Sequence, residues 1–411
     1  MLSRRIALLA TTSVLVGTSV LAGAAFAVTD PKKPPPAKPA GRKAKDAAAG
    51  GSPAETPLGP VDTAAKWALV QDFHTGATLL EKGADDEMPP SSMTKLMTIY
   101  LVYERLKQGR LRLEDELPVT EKAWRMGGSK MFVQVGATVK VEDLIRGVIV
   151  QSGNDACIVF AEALSGSEEQ FAELMNAKAK EIGLTRTNFR NSTGWPDPEQ
   201  RMSARDIATL ARRIIRDFPE YYHYDAEKTY KYNGIEQGNR NPMVQKGTAD
   251  GLKTGHTDAG GYGLVASSQR NGRRLILVLN GMASMRERAE ESERLMDWAF
   301  ANFESVTLFS AGDVIEQVPV WLGTSPTVPL VSGRDLTVTM PRTWRKNATV
   351  KVSFDQPVRA PVLKGDTLGK LTVTGQGVPA MNVPLIAGAD VPQLGLPGRA
   401  MAVLSRYVTG S

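Results

Sequence analysis

Ser91-Ser92-Met93-Thr94-Lys95-Leu96-Met97-Thr98 follows directly on Pro89-Pro90 and opens a run in which Met93, Leu96, Met97, Tyr100 and Leu101 recur at helical spacing. The proline pair stops the preceding chain, so a helix is predicted to begin near Ser91. On that helix Lys95 stands one turn beyond Ser92 on the same face, with its amine in reach of the hydroxyl. A serine hydroxyl is a poor nucleophile until a neighbouring base takes its proton. Lysine can be that base only as the neutral amine, a form favoured by partial burial and by a nearby cation such as Lys253. The pattern is weak alone, since serine at a helix start is commonly a plain N-cap, a role open to Ser91 as well.

Two further triplets turn the pattern into a constellation. Ser152-Gly153-Asn154 read singly is an ordinary turn, and Lys253-Thr254-Gly255 a charged edge strand ending in glycine. In this order, with long spacers, the three are the signature of active-site serine enzymes that act on D-Ala-D-Ala peptides or β-lactams. Longer stretches agree: Leu144-Ile145-Arg146-Gly147, Gln151 to Cys157, Ser203-Ala204-Arg205-Asp206, and Asp250 to Asp258. From about Trp67 to about Leu385 the chain resembles the D-alanyl-D-alanine carboxypeptidases, the class C low-molecular-mass penicillin-binding proteins.

The resemblance implies an α/β (α+β) catalytic domain of the β-lactamase/transpeptidase-like type, an antiparallel sheet flanked by helices, followed by a small all-β domain. It implies removal of the terminal D-alanine from peptidoglycan stem pentapeptides through an acyl-enzyme on Ser92, in peptidoglycan maturation and maintenance of cell shape, with β-lactams as inhibitors. Lys95 would be the base, and Ser152 would carry a proton to the leaving group. Asn154 would hold the substrate amide and the lysine. Lys253, Thr254 and Arg288 would bind the terminal carboxylate, Arg288 with its planar fork. Gly255 would let the peptide lie close to the strand edge, and the backbone N–H groups of Ser92 and His256 would form the oxyanion hole. For Arg288 the plainer reading is a helix-surface ion pair with Glu291, and Arg286 competes for the clamp. No metal or cofactor is implied.

Three other activities are weighed against this one. A β-lactamase of the kind that deacylates with a glutamate would need it between Thr193 and Gln200, where Asp197 and Glu199 stand in an unsuitable context. An endopeptidase that cuts cross-links is compatible with the motifs, but such relatives typically lack the β-domain. A non-catalytic penicillin-binding scaffold would be expected to have lost the nucleophile or base.

A chain of 411 residues is long for one ordinary domain. The net charge of +6 is concentrated at the start: Arg4 and Arg5 supply two, residues 28–60 three, and residues from Val61 onward only one. The folded part therefore gives no reason to expect nucleic acid as a partner. Residues 1–27 read as a signal peptide, with Arg4-Arg5, an apolar run from Ile6 to Leu21 and an Ala25-Phe26-Ala27 cleavage site. An exported protein, periplasmic or on the outer face of the cytoplasmic membrane, is the expectation. Residues 28–60, rich in Pro, Ala, Lys and Gly, read as a disordered linker.

Residues 61–305 are expected to be catalytic, opening with a hairpin from Trp67 to Glu81 turned at His74-Thr75-Gly76. Ser203-Ala204-Arg205-Asp206 reads as a capping box, and Asn271-Gly272 as a hairpin turn. Cys157, the lone cysteine, reads as a small core residue, with none of the three histidines placed to activate it. Residues 306–394 alternate apolar and polar side chains and read as the all-β domain. Residues 395–411 carry Ala400, Met401, Leu404, Tyr407 and Val408 on one helical face, giving either a peripheral membrane contact or a helix packed on the β-domain.

Overall fold

The computed structural model describes residues 52–344, 349–375 and 378–409. The expected signal peptide and most of the expected linker lie outside the described residues. The linker's end does not behave as expected. Ala54 is fully buried and pairs with Val61, and the Glu55 N–H donates to the Glu81 carbonyl at 2.7 Å. The free edge of a strand offers unpaired backbone groups, and residues 52–61 cover it.

That strand belongs to a five-stranded antiparallel sheet. Its members are β1 (Trp67–Asp72), β2 (Thr78–Lys82), β3 (Gly251–Thr257), β4 (Gly261–Arg270) and β5 (Arg273–Met282), in the order β2-β1-β5-β4-β3. Asn271 and Gly272, both at positive φ (50° and 76°), make the tight turn between β4 and β5. Side chains alternate between two cores, as the period of two requires. Leu69, Val265, Ile276 and Val278 face the larger one, and Ala68, Val70, Leu264, Ala266 and Leu277 the other.

The larger core is made by five helices: α1 (Lys95–Lys107), α2 (Val141–Ile149), α3 (Asn154–Ser165), α4 (Glu168–Glu181) and α5 (Ala204–Asp217). α3 is central, with Ala156 to Ala161 all at 0 % exposure, so Cys157 is packed on every side. Burying each large apolar side chain here contributes about 1.5–3 kcal/mol. The opposite face of the sheet is covered by α6 (Met285–Asn302) through Leu295, Met296 and Ala299.

Ser203 caps α5 by accepting the Asp206 N–H at 3.1 Å. The box is not closed, because the Asp206 carboxylate instead accepts the Arg186 N–H and the Thr187 hydroxyl. Aspartate is one methylene short of the glutamate that reaches back, and a neighbouring loop takes its oxygens.

The strand Phe303–Phe309 follows α6 without an intervening residue and pairs with Leu336–Pro341. The division expected at 305/306 thus falls inside a strand. The all-β part adds a six-stranded sheet around Val318, Leu330, Leu371 and Leu385. It is tied back to the first hairpin by Ser305 Oγ to Asp72 Oδ2 at 3.0 Å and by Thr75 Oγ1 to Thr339 Oγ1 at 2.8 Å. The chain then forms α7 (Leu396–Thr409), whose Leu396, Met401 and Leu404 are 76 %, 72 % and 63 % exposed. These apolar side chains do not pack on the β-domain. The side chains of Tyr407 and Val408 lie outside the described residues.

Candidate active site

Ser92 sits on a 3₁₀ turn, Ser91–Thr94, and α1 proper begins at Lys95. The tighter turn eclipses positions i and i+3. Lys95 Nζ accordingly lies 2.9 Å from Ser92 Oγ, and its second contact is the Thr193 carbonyl at 2.7 Å. Ser91 does not cap the helix. Its backbone is left-handed (φ 50°) and its hydroxyl meets Thr257 Oγ1 at 2.8 Å, joining the turn to β3. Ser92 is partly accessible while Lys95 is fully buried, as suits a nucleophile and its base.

A second pair faces the first. Lys253 Nζ donates to Ser152 Oγ at 2.9 Å, bringing β3 against the turn before α3. Ser152 is itself left-handed, at φ 59°. Asn154 opens α3; its Nδ2 donates to the Gly127 carbonyl at 2.8 Å, and the Lys95 amine donates to Ser92 and Thr193, not to the Asn154 side chain. Its neighbour Asp155 is buried and accepts the N–H groups of Met131, Phe132 and Val133. The segment 127–133 is thereby strapped to α3 as a rim of the cleft.

Burial sets the electrostatics. It pushes the Lys95 amine down to about 8; Arg240 pushes it further down, and the buried Asp155 pulls it back up. Lys253 is held well below the ordinary lysine value, first by burial and then by the charge of Lys95. Lys95 and Lys253 thus disfavour each other's charge, as expected, with burial the larger cause of both shifts and Arg240 a further cation nearby. Burial raises the Cys157 thiol to about 12, so it stays protonated and inert.

Arg288 comes from α6 and is buried, its ring-plane neighbour Tyr262 lying 5.9 Å away. Its Nη2 makes one long contact, 3.4 Å, to the Arg240 carbonyl, and its Nε has no protein partner. The ion pair with Glu291 does not form: Glu291 pairs with Arg294 at 2.7 Å. Arg286 points to solvent and pairs with Glu290. Arg288 therefore keeps its donors free for an incoming carboxylate. Thr254 is buried beside Lys253, and the His256 ring stacks on Tyr262 at 3.9 Å, leaving its backbone at the end of β3.

Gly255 has a reason the motif did not disclose. A Cβ there would lie 3.0 Å from Ser91 Cβ, 3.1 Å from the Pro90 carbonyl oxygen and 3.2 Å from the Ser92 nitrogen. The glycine lets β3 press on the turn that carries Ser92, besides any close approach of a peptide.

Several contributors were missed. Asn191 Oδ1 accepts the N–H groups of Thr193, Gly194 and Trp195, which aims the Thr193 carbonyl at Lys95. Gly194 touches Ser91 so closely that a Cβ would be 1.8 Å from its carbonyl oxygen. Trp195 reaches across to Gly127 and Gly128, and Arg240 holds Ser129 Oγ at 2.6 Å. Only the Asn-x-x-Gly of Asn191 to Gly194 carries a local signal, that of a side-chain-stabilised turn.

An antiparallel sheet covered by helices on both faces, with paired Ser–Lys groups facing across one cleft, defines a penicillin-binding active-site serine enzyme. Residues 53–283 match the family model described as D-alanyl-D-alanine carboxypeptidase, and residues 303–393 that of the penicillin-binding protein 5 C-terminal domain. The chain belongs to the D-alanyl-D-alanine carboxypeptidase family and is a serine peptidase. The Haemophilus influenzae D-alanyl-D-alanine carboxypeptidase DacA is 38% identical over 360 residues, covering 85% of this chain and 91% of the relative. Escherichia coli DacC is 39% identical over 354 residues, covering 84% and 88%. The crystal structure of penicillin binding protein 5 from Haemophilus influenzae superposes with a TM-score of 0.76 at 38% identity, covering 81% of this chain and 99% of that one.

Proposed function

We propose that Ser92 is the nucleophile of a D-Ala-D-Ala carboxypeptidase acting on peptidoglycan stem pentapeptides. The observation that carries this is the 2.9 Å contact between Lys95 Nζ and Ser92 Oγ, set against the Lys253–Ser152 pair. Neutral Lys95 takes the Ser92 proton, and Oγ attacks the carbonyl of the penultimate D-alanine. The Ser92 and His256 N–H groups stabilise the oxyanion. The proton taken by Lys95 returns through Ser152, held by Lys253, to the departing amine, and water then hydrolyses the ester. Asn154 orients the substrate amide, while Lys253, Thr254 and Arg288 receive the terminal carboxylate.

A β-lactam presents a mimic of the same amide and would acylate Ser92 in the same way. A β-lactamase with a carboxylate base finds no support here. Glu199 is paired with Arg190, Asp197 accepts the Glu199 N–H, and the groups beside Ser92 are Lys95 and the Thr193 carbonyl. Intact Ser92 and Lys95 speak against a non-catalytic scaffold.

Export follows from the N-terminal sequence and from the place of the substrate, outside the cytoplasmic membrane. The exposed apolar residues of α7 support a weak peripheral contact there. The test is D-alanine release from an acylated pentapeptide, with wild type beside Ser92→Ala, and mapping of the residue labelled by penicillin. Release by wild type alone, with label on Ser92, is expected; label on another residue overturns the assignment.

A further inference from the structure

A guanidinium that is to receive a carboxylate has to be held in one orientation, yet a protein carboxylate that held it would occupy its donors. Arg288 meets this condition in an uncommon way. It is buried and has no carboxylate partner among the described residues. Its Nη2 makes one long contact, 3.4 Å, to the Arg240 carbonyl, and its Nε makes none. One such bond does not fix a planar fork at the end of a long stem.

The remaining neighbour is the ring of Tyr262, whose centroid lies 5.9 Å from the guanidinium carbon. An aromatic face attracts a cation through its quadrupole, so it can orient the guanidinium and leave the fork open. The ring is itself braced. Tyr262 stands directly opposite His256 where β4 pairs with β3, and the two rings stack at 3.9 Å with an interplanar angle of 29°. Such a cross-strand pair fixes both side chains. The pairing of β4 with β5 also slips by one residue between Tyr262, opposite Met282, and Leu264, opposite Leu279. A bulge of this kind raises the local twist and re-aims a side chain. Leu264 is accordingly sealed in the core, while Tyr262 is half-buried at the end of the strand, under α6.

We propose that Tyr262 is a positioning residue for the carboxylate clamp, its ring holding Arg288 at a set distance from the His256 end of β3. The backbone N–H of His256 is an oxyanion donor in the mechanism above. One ring then braces both the group that meets the scissile carbonyl and the group that meets the terminal carboxylate. A substrate is read by the spacing between those two groups, which is fixed in a peptide ending in D-Ala-D-Ala. The proposal rests on the clamp role given to Arg288.

The experiment measures kcat/KM on full-length mature enzyme for an acylated tripeptide ending in D-Ala-D-Ala and for its C-terminal amide. The readout is the ratio of free acid to amide, which a general loss of folded enzyme does not move. Tyr262→Phe keeps the ring and should keep the wild-type ratio. Tyr262→Leu should lower kcat/KM for the free acid by about 3- to 20-fold, the range of a desolvated cation–π contact, and leave the amide nearly unchanged. Tyr262→Met, which fills similar space without a ring, should do the same and serves if the leucine variant fails to fold. In an Arg288→Ala background Tyr262→Leu should not lower the ratio further, because the two residues act as one unit. Equal losses for acid and amide, a wild-type ratio in the methionine variant, a lost ratio in Tyr262→Phe, or a full effect in the Arg288→Ala background would overturn the role of the ring while leaving the clamp in place. A wild type that does not prefer the free acid would overturn the clamp and this proposal together.

Discussion

Gly255 and Ser91 approach so closely that one added methyl carbon at Gly255 would stand 3.0 Å from Ser91 Cβ. The other atoms in its way are backbone, the Pro90 carbonyl oxygen and the Ser92 nitrogen, so no flexible tip can swing aside. Gly255→Ala must shift the turn that carries Ser92. Acylation by penicillin should slow by about 10- to 100-fold, as displacement of a reacting group by a fraction of an ångström does. Stability should fall by about 1–3 kcal/mol. Stopped-flow acylation and thermal melting read the two effects; an unchanged acylation rate would return Gly255 to the single task of admitting substrate.

The depressed Lys95 value gives a pH dependence with a definite sign. The amine is protonated, and useless as a base, below about 8, and the neutral form grows as pH rises. The acylation rate should therefore climb about tenfold per pH unit in the acid limb and level off above about pH 8. Lys95→Arg stays cationic throughout, so its rate should fall by about a thousandfold or more and lose that limb. Retained activity near neutral pH would move the base to Ser152 or Lys253.

Arg288 and Arg286 lie two positions apart on α6 but face different surroundings, one buried with free donors and the other paired in solvent. Wild type should prefer a free D-alanine carboxylate over its amide. Arg288→Ala should cut kcat/KM for the free acid by about 10- to 100-fold, the worth of hydrogen bonds to a charged group, and erase most of that preference. Arg286→Ala should leave both substrates alike to wild type. The reverse result would shift the clamp by two residues.

α7 presents Leu396, Met401 and Leu404 with no partner among the described residues of the β-domain. So small an apolar face should bind a bilayer weakly and reversibly. Deleting residues 399–411 should leave D-alanine release from soluble peptides intact and lower the fraction pelleting with anionic vesicles. If the mature protein never pellets, α7 serves some other contact.

The pairing of Ser92 with Lys95 was legible where motif spacing carried it. Ser92 and Lys95 are three residues apart, and any helical turn brings them together. The layered fold followed from the same motifs through family resemblance, with the Asn271-Gly272 turn as local support. What lay hidden depends on contacts between distant segments. Thr193, Arg240 and Trp195 are ordinary in their own surroundings and reach the cleft only when 127–133, 191–195 and β3 are folded against α1 and α3. The structured 52–61 segment was missed for a related reason. Its composition resembles a linker, and its order comes from a free strand edge more than twenty residues away. Likewise, the pairing of Arg294 rather than Arg288 with Glu291 turns on which face of α6 meets the sheet.

The absence of any residue between Asn302 and Phe303 has a mechanical consequence. A helix that runs straight into a strand leaves no hinge, and the Ser305–Asp72 and Thr75–Thr339 bonds close the angle on the other side. The β-domain then behaves as a strut. The separation between Ser92 and the far end of that domain is then set by the fold and not by a linker.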